Sequence, residues 1–240
     1  MCATISRMAE KTAGSIRARV RAEMIEQIKT AARRQIATEG ASLSLRAVAR
    51  ELGMVSSALY RYFASRDDLL TALIIDAYNS LGEVSEKADA RIADRDDVLA
   101  RWIAVTRSLR AWALNFPHEY ALIYGSPVPG YAAPEDTVGP SLRPVIVLGT
   151  ILSDAHTAGR LKHATSPDIP APLAAEIRNI ATLVAPEIPE PTMARALIAW
   201  TELFGAINFE LFGRFNNTIE QLDAWYTHQS RSMATFLGLH

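Results

Sequence analysis

The sequence predicts an all-α fold of about nine or ten helices, and three observations carry that prediction. Apolar residues recur at spacings of three and four over most of the 240 residues, the period of an amphipathic helix. All twelve prolines fall at or after Pro117, so the front half is free to run as nearly unbroken helices. The one strand-like run, VIVLGTIL at 145–152, has no second run in the chain to pair with.

Taken in order, residues 22–39 place Ile25, Ile28, Ala32 and Ile36 on one helical stripe, with Gly40 as the stop. SLRAVAREL follows, with Ser44 as cap and Leu45, Val48, Ala49 and Leu52 as the apolar stripe. Gly53 ends that helix, and Met54-Val55 leads into SSALYRYF, where Leu59 and Phe63 lie four apart and face the same small core. Two short helices across a glycine turn, behind a first one, make a helix-turn-helix. A fourth helix starts at Ser65, with Asp68 placed for a capping box and Leu69, Leu70, Leu73 and Ile74 as its buried stripe, and runs to about Lys87. Asp67-Asp68 favour its N-terminus through the helix dipole.

Further on, 95–116 carries Val98, Trp102, Val105, Leu109 and Trp112 at helical spacing. A short piece, HEYALIYG, follows Pro117. Residues 137–159 are expected as a helix whose start is blurred by Pro140 and Pro144, and 172–185, 190–214 and 217–237 complete the set. The breaks between them are proline loops: SPVPGYAAP, SPDIPAP and PEIPEP.

The formal charge of −1 hides a split: the chain through Arg66 carries +7 and the remainder −8. A basic head on an acidic body points to a polyanion at the N-terminal end. The stretch ISRMAEKTAGSIRARVR has five basic residues against one acid and is expected as a flexible arm over 1–21. The single cysteine, Cys2, excludes an intrachain disulfide and a cysteine metal cluster. No run of 18 apolar residues suggests a membrane span and no signal peptide is legible, so the reading is a cytoplasmic protein without a membrane partner.

Nothing in the sequence has the form of a catalytic centre. Glycine-rich phosphate loops, HExxH and GxSxG are absent, and the five histidines are scattered. His156 and His163, seven apart, have no acid or cysteine beside them at ligand spacing, and Glu202 and Glu210 read as solvated or paired carboxylates. No cofactor, metal or catalytic residue is expected.

The positive signal is the cluster Ser44, Arg46, Ser56, Ser57, Tyr60, Arg61, Tyr62 and Arg66. A helix bearing Ser56, Ser57, Tyr60 and Arg61 fits a major groove about 12 Å wide, where side chains reach base edges and hydroxyls reach phosphates. Arg46, near the start of the preceding helix, is placed to reach the groove edge, and Arg66 with Tyr60, Tyr62 and Ser44 is placed to hold phosphates; the planar fork of arginine suits such contacts. Each residue alone has an ordinary use: tyrosines pack against a core and arginines stand in solvent. One geometry employs all of them together.

The span ATEGASLSLRAVARELGMVSSALYRYFASRDDLLTALI, Ala37 to Ile74, resembles the tetracycline-repressor-like (TetR) family of transcriptional regulators. The matching positions are Gly40, Ser44, Arg46, Ala49, Gly53, Leu59-Tyr60, Tyr62-Phe63, Arg66 and Leu69. Two departures stand out: Gly53-Met54-Val55 replaces the usual Gly-Val-Ser at the turn, and Tyr62 stands where a histidine is common. Residues 110–137 and 200–213 resemble the branch with a WHG-type C-terminal domain. The resemblance implies a homodimer held by the last two long helices and a ligand cavity among the middle helices.

The residues of the body agree with that expectation. Trp200, Phe204, Ile207, Leu211, Trp225 and Met233 are assigned to the dimer interface, with Gly205 permitting close approach, although an intrachain core would use the same residues. Trp102, Leu109, Trp112, Tyr120, Ile123 and Tyr124 are assigned to a ligand pocket, again with core packing as the alternative. The sequence thus reads as an arm (1–21), a helix-turn-helix domain (22–66) and a helical regulatory and dimerisation domain (67–240). The expected protein is a homodimeric repressor, bound to double-stranded DNA and released from a pseudo-palindromic operator by a small hydrophobic or aromatic effector. A binding protein or enzyme with a vestigial head is the rival reading.

Overall fold

The computed structural model of the chain describes residues 2–40, 43–162 and 168–240, with side chains from Ile16 onward except at Glu39. His163 and the start of the SPDIPAP loop lie outside the described residues. Helices α1 (Cys2–Glu39), α2 (Leu45–Glu51), α3 (Ser56–Leu59) and α4 (Arg66–Ala90) come first. They are followed by α5 (Val98–Asn115), α6 (Pro117–Tyr124), a 3-10 turn (Glu135–Thr137), α7 (Val138–Thr157), α8 (Ala171–Val184), α9 (Glu190–Leu211) and α10 (Leu222–Leu237).

Among the described residues there is no strand, and VIVLGTIL lies inside α7. An isolated run cannot satisfy its backbone as a strand, whereas α7 satisfies it internally. Pro140 sits in the first turn of α7, where no N–H is required, and Pro144 one turn later. At Gly149 an added Cβ would meet the Val184 carbonyl oxygen at 2.5 Å, so a side chain there would hold α7 and α8 apart.

The chain divides into two compact units. The head comprises residues 1–74 with 126–133, and the body comprises 75–125 with 134–240. The sequence reading places its boundary at Arg66/Asp67 instead. The difference is the first two turns of α4 and a return segment, in which Val128 is buried and Tyr131 Oη lies 2.9 Å from Thr71 Oγ1. A second difference concerns 1–21, expected as a flexible arm: α1 is one continuous helix from Cys2. No proline interrupts it, and its alanines, arginines and glutamates are good helix formers.

In the head, Ile28, Ala31, Ala32 and Ile36 of α1 are buried with Val48, Ala49, Leu59, Leu69, Leu70 and Leu73. In the body, α5 is central. Its Trp102, Val105, Leu109 and Trp112 are all within 2% of full burial, and a buried side chain of this kind contributes about 1.5–3 kcal/mol. Polar anchors fix α5 to its neighbours. Trp102 Nε1 donates to the Ser230 carbonyl at 3.0 Å, and Tyr226 Oη donates to the Thr106 carbonyl at 2.9 Å. Arg110 forks onto both oxygens of Glu210 at 2.6 Å and reaches Asp223 at 2.7 Å. Its hydrogen bonds to Glu210 hold the guanidinium above the ordinary arginine range, against the opposing effect of burial.

Arg101, fully buried, bonds Asp89 and Asp154, each at 2.7 Å. Burial pushes the Asp89 carboxyl up, but hydrogen bonds from Arg101 and Arg95 outweigh it, so the group ionises below its usual range. Glu202, one of the scattered acids, is exposed, whereas Glu210 is Arg110's partner. Among the described residues no helix is long and apolar enough to cross a membrane.

Candidate nucleic-acid interface

The helix-turn-helix is held by local chemistry at each joint. Ser44 is extended (φ −128°, ψ 114°) and its Oγ accepts from Ala47 N at 3.4 Å, which caps α2. Gln35 of α1 in turn accepts from Ser44 N at 3.2 Å. Gly53, at φ +65°, makes the left-handed turn that a side-chain-bearing residue resists, and Met54 N then donates back to the Ala49 carbonyl at 2.8 Å. Ser65 Oγ accepts from Asp68 N at 3.0 Å and starts α4.

The cap of α3 is the departure from the family pattern noted at Met54-Val55. Val55 occupies the cap, extended at φ −70° and ψ 138°, with no side-chain cap bond. Ser56 and Ser57 therefore lie inside the helix rather than in front of it. The helix proper spans Ser56–Leu59, shorter than SSALYRYF suggests. It tightens into turns in which Arg61 N and Tyr62 N bond the carbonyls three residues back. The chain has to finish there, because Ser65 already caps the next helix.

The side chains of this cluster separate cleanly. Leu59 is fully buried and Phe63 nearly so, while Tyr60 between them is 47% exposed. Arg46, Ser57 and Arg61 are exposed, and Arg46 and Arg61 make no side-chain ion pair among the described residues. Ser44, Ser56 and Tyr62 are half-buried. Arg66, read as a phosphate holder, gives its Nε to the Leu43 carbonyl at 3.1 Å and approaches Asp67 at 3.4 Å. That ties the start of α4 to the segment before α2.

One participant went unread in the sequence. Arg21, placed in the expected arm, donates from Nη2 to the Arg61 carbonyl at 3.2 Å, with its guanidinium 5.0 Å from the centroid of the Tyr62 ring. It braces the end of α3 from α1. Forty positions separate the partners, so no local pattern points to the contact. A second brace, Arg34 to Glu51 at 2.7 Å, joins α1 to α2.

In the body, the two sets of assigned residues are distributed between core, cavity wall and surface. Of the pocket set, only Trp102 borders an apolar cavity found among the described residues of the body. Leu109, Trp112 and Tyr120 are buried core, Trp112 Nε1 donating to Ser80 at 2.9 Å and Tyr120 Oη to the Phe204 carbonyl at 3.3 Å. Tyr124 packs on Phe204 with ring centroids 4.1 Å apart, and Ile123 is half-buried against the core. The cavity itself measures about 90 Å³ and is walled by α5, α7, α8, α9 and the end of α10. Left empty, a space of that size costs about 2 kcal/mol.

Of the interface set, Phe204, Ile207 and Met233 are buried within the protomer, and Trp200, Leu211 and Trp225 are half-buried. The outward apolar residues on these helices are Ile198, Phe209 and Phe212 with Phe236 of α10, and Gly205 has open space where a Cβ would be. Helix α9 is apolar nearly all round, so period alone does not decide which stripe turns outward.

With this geometry in view, residues 28–73 match the family described as bacterial regulatory proteins, tetR family. Residues 102–233 match the tetracyclin repressor-like C-terminal domain. The HTH-type transcriptional regulator Rv1816 of Mycobacterium tuberculosis (strain ATCC 25618 / H37Rv) is 37% identical over 225 residues, covering 91% of this chain and 94% of that protein. The crystal structure of SCO4313 superposes with a TM-score of 0.71 at 33% identity, over 91% of this chain and 98% of that one. PfmR, a TetR-family regulator from Thermus thermophilus, shares the fold at a TM-score of 0.56 and 16% identity, over 86% of this chain and 96% of that one.

Proposed function

The chain belongs to the TetR family of transcriptional regulators, and we propose that it works as a homodimeric repressor whose operator is released when a small-molecule effector binds the body. It is not an enzyme; its relatives are regulators. The observation that carries the proposal is the pairing of a buried Leu59 and Phe63 with an exposed Tyr60, Arg61, Ser57 and Arg46 on the two short helices of the head. Such a surface presents donors and cations to a groove while its other face holds the helices in place.

The two-fold arrangement is supported by the outward stripe of Ile198 and Phe209 on α9 and Phe212 at its C-cap, with Phe236 on α10, and by the open space at Gly205. A two-fold dimer would set two copies of α3 against half-sites one helical turn apart, or a multiple of it. The effector shifts the population between a DNA-competent spacing of heads and another. A regulator of this kind acts where the chromosome is, in the cytoplasm.

A gel-shift titration with the DNA flanking the chain's own gene is the test. Binding is expected to saturate and to weaken steeply with salt, because counterions leave the phosphates. No shift at low salt with a folded dimer would remove autoregulation. No enrichment from a random-sequence duplex library would remove sequence-specific DNA binding altogether.

A further inference from the structure

The cavity of the body has a chemical character that narrows what it can hold. Its lining, drawn from residues such as Trp102, Leu148, Leu152, Val184, Met193 and Trp200, contains no charged side chain. Two indole N–H groups are the only side-chain donors in the lining, and that of Trp102 is already given to the Ser230 carbonyl. Two buried arginines adjoin lining residues in the chain but are not part of the lining: Arg101 is turned to Asp89 and Asp154, and Arg195 of α9 donates to Thr192 at 3.2 Å. A carboxylate or phosphate entering here would lose its hydration and find no partner, which is strongly unfavourable.

Size and shape narrow it further. About 90 Å³ is smaller than the roughly 150 Å³ of an apolar cavity that stays dry and takes up benzene, so the occupant is at most a single ring, admitted with some give in the lining. Trp102 offers a flat apolar wall on one helix and Trp200 on another. Trp200 is half-buried, as are Val145 and Ile180, so this side of the cavity lies nearest solvent. Met193, unbranched and deformable, lets the space adjust to its occupant.

From these features we infer that the cavity between α5, α7, α8, α9 and α10 takes a small uncharged aromatic hydrocarbon, one without a hydrogen-bonding head group. The inference rests on the reading of the body as an effector domain only for its consequence on DNA, not for the binding itself. The occupant is recognised by shape and by transfer out of water, and selectivity against acids comes from the absence of any group to receive them.

Toluene and its charged isostere benzoate are suitable probes for the full-length protein, with tryptophan emission and calorimetry as readouts. Toluene is expected to bind saturably and at least about 100-fold more tightly than benzoate, which has to shed its hydration. Filling the space with Ala196→Leu is expected to weaken toluene at least tenfold without lowering the unfolding temperature; Val145→Phe serves the same purpose if that variant does not fold. Equal affinity for benzoate, unchanged binding in the filled variants, or no binding of toluene at all would each overturn the inference, the last marking the space as a packing gap. Toluene binding that is lost in the filled variants but leaves operator affinity unchanged would keep the site and remove the effector reading. Operator release by benzoate alone would do the reverse.

Discussion

Val55 is an apolar residue, 69% exposed, at the cap of the helix that carries Tyr60 and Arg61. A cap without a side-chain acceptor leaves the first N–H groups of α3 to water. Val55→Ser supplies that acceptor and is expected to stabilise the protein by about 1 kcal/mol, read as a rise in thermal midpoint. No rise would mean the end of α3 is satisfied another way. DNA contact is argued at the same scale. Arg46→Ala and Tyr60→Ala are each expected to cost about 1–3 kcal/mol of operator affinity while helical content and mass in solution stay unchanged. Arg21 holds the Arg61 carbonyl and the Tyr62 ring, so Arg21→Ala is expected to weaken binding less, with Arg21→Lys failing to restore the planar contact over the ring. A variant among these that loses its circular dichroism signal would assign that residue to the fold instead. The caps at Ser44 and Ser65 and the turn at Gly53 were legible because each depends on neighbours in sequence. The Arg21 brace was not, since only the packing of α1 on α3 creates it.

Among elements, α5 is held by ionic anchors that the sequence shows only as scattered charges. Asp89 lies at the end of α4 and joins Arg95 and the buried Arg101. Its carboxyl ionises lower in the folded protein than its unfolded value of 3.8. The stabilisation is therefore present above that pH and is lost as pH falls through the folded value. Asp89→Asn leaves Arg101 buried with one carboxylate fewer and is expected to cost about 3 kcal/mol near neutrality. The difference from the parent should shrink as pH falls from 3.8 through the lower folded value, the range in which unfolding takes up a proton on Asp89. A difference that stays constant from about pH 7 down to about pH 3 would show that packing, not charge, is what the substitution removes. The existence of nearly every helix was readable from period and proline, but their ends less so. Helix α10 begins at Leu222 rather than near 217 because Gly213 and Asn217 take left-handed turns, at φ +69° and +61°.

For the whole molecule the proposed two-fold assembly rests on the outer stripe of α9. Phe209→Glu puts a charge where a residue is already 52% exposed, so the protomer's own core is left intact. It is expected to shift sedimentation from dimer to monomer with unchanged helical content, and to weaken operator binding at least tenfold because the second half-site is lost. Phe204→Glu, by contrast, is expected to unfold the body, since Phe204 is buried. A Phe209→Glu protein that remains dimeric would move the interface elsewhere.

The sequence by itself determined the all-α class, the helix-turn-helix with its caps at Ser44 and Ser65, the charge division between head and body, and the resemblance that membership in the family substantiates. Those properties follow from spacings of three and four, from residues that cap or turn locally, and from counting charges. Only the tertiary structure decided which apolar stripe of α9 faces inward, that Trp112 and Tyr120 are core while Trp102 borders a cavity, and that Arg21 and Arg101 have partners far along the chain. The reason is common to all three: apolar period marks a face for burial, but what buries it is chosen by packing between elements distant in sequence.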